Sequence, residues 1–232
     1  MKPLSLVIAF VTVFSIGLLH SADAEQKPKQ AVVTEEVSPN EDLMREHGVL
    51  RSLLLIYQEV IRRIDNHEAI PSLTVKESAK LVCSFIEDYH EKLEEEFVFT
   101  QFEKAHVLFD LVKTLKDQHK AGRALTDYIL AHALEADGKD DISKMILADY
   151  MRLYIRMFGP HAAAEDTVLF PAFRKLLPSD EYMKLGDIFE EREQQLFGKE
   201  GFGAIVEEVS NIEKQLGIYT LSQFTYQPKK QR

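Results

Sequence analysis

Twice in this chain a histidine and a glutamate stand four residues apart, at His90 and Glu94 and again at His161 and Glu165. Both pairs lie in sequence with helical periodicity, where a spacing of four puts two side chains on one face, roughly 40° from eclipsed. One such pair is unremarkable. Two pairs, with lone histidines on two further stretches of helical periodicity, constrain the fold strongly. They fit helices that turn polar groups inward around metal ions.

The rest of the chain supports an all-α reading, since no strand-like alternation stands out and glycine and proline mark the breaks. A first helix is expected from Pro39 or Asn40 to about Ile64, its apolar positions Leu43, Leu50, Leu54, Tyr57, Ile61 and Ile64 recurring at threes and fours. A second opens at Thr74-Val75-Lys76-Glu77, a capping-box pattern, and runs to about Phe99. A third spans about 103–134, with Gly122 a weak point inside it and Asp137-Gly138-Lys139 a turn after it. The fourth runs from about Asp141 to Leu169, where Pro171 demands a kink or a new start. Two shorter helices, about 180–197 and 203–216, lie outside the four. The expected architecture is an up-down four-helix bundle over 39–178 with a helical C-terminal extension over 179–232.

Polar groups then fall where core residues belong. The first helix contributes His47, the second His90 with Glu91 and Glu94, the third His119, and the fourth His161 with Glu165. Four helices each donating a nitrogen, with carboxylates from two of them, can enclose two ions. Imidazole with carboxylate suits iron, manganese or zinc, and the lack of thiolates argues against copper(I) or an iron–sulfur cluster. The alternative is that each histidine is separately a surface or hydrogen-bonded core residue. Burying so many polar groups without a metal would cost several kcal/mol in order of magnitude. His67, His106 and His132 have no carboxylate at ligand spacing and read as surface residues. Tyr89, Tyr150 and Tyr154 either orient ligands or simply pack the core, while Glu95 and Glu96 are expected to face water.

The segments Glu46-His47-Gly48, His90-Glu91-Lys92-Leu93-Glu94-Glu95, Gln118-His119-Lys120-Ala121-Gly122-Arg123 and His161 through Glu165-Asp166-Thr167-Val168-Leu169-Phe170-Pro171 resemble the hemerythrin-like HHE cation-binding domain. The likeness covers roughly 40–178. It implies an up-down four-helix bundle with a non-haem di-iron centre held by His47, His90, Glu94, His119, His161 and Glu165, the two glutamates bridging. Two departures matter. Arg123 stands where oxygen-carrying hemerythrins have a second histidine on the third helix. Glu91 stands where many bacterial members have a histidine after the first on helix two, and there it resembles the iron-sensing domain of an F-box protein. Glu91 is thus a candidate seventh ligand, with a solvated carboxylate as the other reading. If it binds, the oxygen-rich site favours Fe(III), with fast autoxidation and poor reversible oxygen storage.

Composition bounds the remainder. Met1-Lys2, the apolar run from Leu4 to Leu19, and Ala22-Asp23-Ala24 before Glu25 read as a secretory signal over 1–24. About sixteen apolar residues fall short of the roughly 20 a membrane span needs. A polar arm follows over 25–38, so the expected location is periplasmic or secreted, with no integral span after cleavage. A net charge of −10 without a basic stripe argues against nucleic acid. The single cysteine, Cys83, excludes an internal disulfide and reads as a buried, inert thiol. The functional expectation is an exported di-iron protein that handles oxygen, nitric oxide or peroxide. The alternatives are iron storage, delivery or sensing without turnover, or a bundle that metal merely staples.

Overall fold

A capping box starts the first helix, α1 (Pro39–Asp65): the Glu41 N–H donates to Ser38 Oγ and the Ser38 N–H to the Glu41 carboxylate. Pro39 occupies the first turn, where its missing N–H costs nothing. The computed structural model describes residues 37–136 and 140–228. The signal read over 1–24, residues 25–36 of the arm and the turn at 137–139 lie outside them. Among the described residues every regular element is helical.

The second helical run, α2, is continuous from Ser72 to Ala105. It begins two residues before the expected capping box, so Thr74 is not a cap. Its hydroxyl instead donates to Gln215 Oε1 at 3.0 Å. The run also passes the expected end at Phe99. The break to α3 (Phe109–His132) falls at His106 and Leu108, both left-handed with φ of 54° and 51°. Non-glycine residues seldom adopt that conformation, and no glycine or proline marks this turn in the sequence. A short 3₁₀ turn, Ala133–Ala136, follows α3. The fourth run, α4, covers Asp141–Ala164, Glu165–Leu169 and Phe170–Leu176 without interruption, capped by Asp140, which accepts from the Ser143 N–H at 2.9 Å. Two further helices are α5 (Ser179–Phe197) and α6 (Gly201–Leu216).

Three stretches inside α2 and α4 are π-helical: Val82–His90, Glu94–Val98 and Glu165–Leu169. The Phe99 N–H bonds to the Glu94 carbonyl and the Phe170 N–H to that of Glu165, each closing a wide turn that begins at a candidate ligand. Such turns are uncommon and concentrate at functional sites. The wide turn also explains why Pro171 neither breaks nor restarts α4. The segment before it has already given up the i→i−4 pattern, so a missing N–H leaves little unpaired.

Packing joins α1 to α4, α4 to α3, and α2 to both α1 and α3, forming a helical bundle. The C-terminal helices lie on its flank: α5 and α6 both pack on α1, and α6 also meets the start of α2. Arg63 fixes the end of α6 by donating to the Leu216 carbonyl at 2.7 Å. Gly122 is less a weak point than a contact requirement. A Cβ there would come within 2.6 Å of the buried Phe158 ring. Gly122→Ala should therefore cost about 1–3 kcal/mol through overpacking, despite alanine's better helix propensity. Thermal melting of the metal-free protein checks this, and an unchanged or higher midpoint would show that the ring yields freely.

Candidate metal centre

The helix faces carry their histidines into one place. His47 Nε2 from α1 lies 3.1 Å from His90 Nε2 of α2, and His119 Nε2 from α3 lies 3.1 Å from His161 Nε2 of α4. Glu94 Oε2 reaches one member of each pair, His90 at 3.6 Å and His119 at 3.5 Å. Glu165 Oε2 does the same for the others, His161 at 3.1 Å and His47 at 3.4 Å. All six side chains are buried, the two glutamates completely.

The opposite edge of each imidazole is occupied. His47 Nδ1 faces Asp166 Oδ1 at 2.7 Å, His90 Nδ1 faces Glu46 Oε2 at 2.6 Å, His119 Nδ1 faces Glu95 Oε1 at 3.2 Å and His161 Nδ1 faces Gln118 Oε1 at 2.8 Å. Each partner is an oxygen acceptor, so the hydrogen-bond network assigns a proton to every Nδ1. The four Nε2 lone pairs then converge in two pairs, and each pair can share at most one proton. Burial opposes charge on His47, but its hydrogen bond to Asp166 and the Glu165 carboxylate close by outweigh that and push it up to about 9. Burial, with His47 beside it, holds His90 well below the usual imidazole range. Burial likewise brings His119 down to about 4.

The carboxylates carry the same message. None of the four oxygens of Glu94 and Glu165 accepts a hydrogen bond of normal geometry. Burial, reinforced by Glu165, Glu91 and Glu46, pushes Glu94 well above the carboxylate range. Leaving such groups unsatisfied is costly. A cation supplies what both sets lack, and nitrogens 3.1 Å apart can share one ion about 2.1 Å from each. The residues present fit a bound cation with nitrogen and oxygen ligands.

Glu91 is placed differently from the other six candidates. Its carboxylate is buried, but it lies behind His119, with Oε2 3.9 Å from Nδ1, and it accepts from Arg123 at 2.8 Å. Glu95 does not simply face water, because it accepts from Lys92 and Arg123 as well as meeting His119. These bonds overcome the opposing effect of burial and hold Glu95 well below its usual range. Glu96 is exposed and pairs with Arg192 of α5 at 2.9 Å. The Tyr89 hydroxyl is buried beside Glu46, whereas Tyr154 stacks on Phe158 in the core. Tyr150 stacks on Tyr128, away from the centre. His67 and His106 are exposed, and His132 is half-buried against Tyr128. Cys83 is half-buried rather than buried. Burial and nearby Asp88 push its thiol up to about 11, which keeps it unreactive.

The orienting residues Glu46, Gln118, Glu95 and Asp166 follow a rule that sequence reasoning missed. The residue before each lone histidine (Glu46, Gln118) holds the partner pair's histidine, and the residue after each ligand glutamate (Glu95, Asp166) holds the lone one. Arginines four residues beyond the lone histidines, Arg51 and Arg123, bond Asp166 and Glu95. Five residues beyond the glutamates, Phe99 and Phe170 cover His119 and His47, with ring centroids 5.3 and 5.5 Å apart. The two halves thus repeat one plan, α1 with α2 and α3 with α4. The signal lay in the repeated pattern of acidic or amide residue, histidine and later arginine.

The sequence matches the hemerythrin HHE cation-binding domain over residues 38–127 and again over 110–196. It is also 48% identical over 198 residues to proteins of Mycobacterium tuberculosis (strain H37Rv) and Mycobacterium bovis, both described as uncharacterized. The alignment covers 85% of this chain and 76% of each relative. No solved structure matches the chain. With its buried histidine–glutamate cluster on a helical bundle, the chain belongs to the hemerythrin HHE cation-binding family.

Proposed function

We propose that the chain is an exported non-haem di-iron protein that takes up a small ligand (oxygen, nitric oxide or peroxide) on an up-down four-helix frame. One observation carries this reading: two pairs of imidazole nitrogens, spanned by two glutamates that each touch one histidine of either pair. His47 and His90 would hold one ion and His119 and His161 the other, with Glu94 and Glu165 shared between them. When bound, the iron pair supplies exchangeable electrons and a place for the small ligand. The chain's own contribution is orientation and exclusion of water. Four Nδ1 hydrogen bonds lock the imidazoles, and Phe99, Phe158 and Phe170 pack against three of the four rings.

In this reading Arg123 pairs with Glu91 and Glu95 and adds no nitrogen to either ion, so the centre reacts rather than stores oxygen reversibly. The test is anaerobic reconstitution with Fe(II), metal counting, and optical spectra after adding oxygen, nitric oxide or peroxide. Two iron ions per chain and consumption of one of these ligands, both abolished in His90→Ala, are expected. Iron uptake without consumption would favour storage, delivery or sensing. Zinc replacing iron with nothing lost but colour would leave a structural role.

A further inference from the structure

The two halves of the centre repeat one plan but differ at one position. His90 donates its Nδ1 proton to a carboxylate, Glu46, at 2.6 Å, whereas His161 donates to the neutral amide of Gln118 at 2.8 Å. Glu46 and Gln118 occupy the same place in the repeat, directly before the lone histidines His47 and His119. A carboxylate behind an imidazole makes the opposite nitrogen a stronger donor to a metal than an amide does.

The surroundings of the two positions also differ. On the His47–His90 side Glu46 is joined by Asp42 and by Glu193 from α5, three carboxylates whose oxygens lie within 4.8 Å of one another. Arg45 bonds Asp42 at 2.6 Å and leaves Glu46 without a cationic partner, and one Glu46 oxygen is buried with no hydrogen bond. On the His119–His161 side the extra carboxylate is Glu91, and Arg123 bonds it at 2.8 Å. Behind the lone histidines, Asp166 pairs with Arg51 beside His47, and beside His119 Glu95 takes Lys92 as well as the Arg123 it shares with Glu91.

We infer that the two metal positions are unequal by construction. The His47–His90 position fills first and releases its ion last, and Glu46 against Gln118 is the positioning residue that sets the order. This rests on the two-ion reading proposed above. Its consequence is a centre able to hold a single ion, or two different ions, in a defined arrangement.

Stepwise Co(II) titration of the metal-free full chain tests it, read by calorimetry and by the ligand-field spectrum. Wild type and both variants are titrated in the same buffer at one pH, so that only the residue behind the imidazole differs. Wild type should bind two ions in resolved steps separated by roughly 10–100-fold in affinity. Glu46→Gln should weaken the first step until the two merge, while Gln118→Glu should strengthen the second until they merge from the other direction. A purely structural role for these residues would not yield a gain of affinity in Gln118→Glu. Should one variant fail to fold, as judged by circular dichroism, the other still decides the matter. Two ions binding with equal affinity in wild type, or a spacing that neither variant alters, would overturn the inference while leaving the di-iron reading intact. A single ion per chain would sink the two-ion reading itself.

Discussion

Glu94→Gln should stabilise the metal-free protein at neutral pH while removing most of the stabilisation that metal brings. In the folded chain Glu94 sits beside Glu165, Glu91 and Glu46, fully buried, with both oxygens unpartnered. Its folded pKa therefore lies well above its ordinary value of 4.5. For an acid raised on folding, the unfolded state ionises first, so stability falls as pH climbs beyond 4.5 toward the folded value. Glutamine carries no such penalty, and its amide hydrogens can donate to His90 Nε2 and His119 Nε2, which the carboxylate approaches to 3.6 and 3.5 Å. The expected gain without metal is about 1–3 kcal/mol near neutral pH, shrinking to nothing in acid.

With metal the sign reverses. A ligand that binds only the folded state stabilises it by about 4 kcal/mol at a thousandfold excess over its Kd. Glutamine offers a neutral oxygen where a bound cation would be held by a carboxylate. Its loss should exceed the roughly 10–100-fold typical of residues that merely support ligands. Melting curves of both proteins, with and without Fe(II) under anaerobic conditions, should cross over. Equal metal-induced shifts in wild type and variant would show that Glu94 does not hold metal.

Arg123→Met should destabilise the protein by about 3 kcal/mol, the low end for breaking a buried pair because the guanidinium is partly exposed. Arg123 donates to Glu91 at 2.8 Å and to Glu95 at 2.6 Å, and Glu91 is almost wholly shielded from solvent. Without the arginine, Glu91 is left as an unpaired charge or must take up a proton. Glu91→Gln in the same chain removes that burden, so the double variant should recover much of the loss. A double-mutant cycle by chemical denaturation measures the coupling. The matching Arg51→Met should cost far less, because Arg51 is 53% exposed and its partner Asp166 keeps a second contact to His47. If the two arginines prove equally dispensable, the assignment of Arg123 as the anchor of Glu91 is wrong.

The helical class and the candidate ligands were legible because they depend on local period. A spacing of four brings His90 to Glu94 and His161 to Glu165 whatever else the chain does. Helix ends were less legible. The turn at His106-Val107-Leu108 lacks the glycine or proline that usually marks one, and Pro171 suggested a break that the π turn before it absorbs. The π segments themselves have no simple composition, because they arise where helix packing favours an inserted residue over a regular turn.

What lay furthest from the sequence was the set of partners behind the histidines. Glu46 reaches His90 across 44 positions of chain, and Asp166 reaches His47 across 119. Neither distance can be counted along a helix. The sequence by itself determined the element type, the inward polar stripe and the pairing of histidine with glutamate, all consequences of 3.6 residues per turn. Only the tertiary structure decided which Nε2 faces which, that Glu91 belongs to Arg123, and that one half of the centre is backed by a carboxylate where the other has an amide. Those facts depend on the approach and register of separate helices, which packing of the whole core fixes and local periodicity cannot.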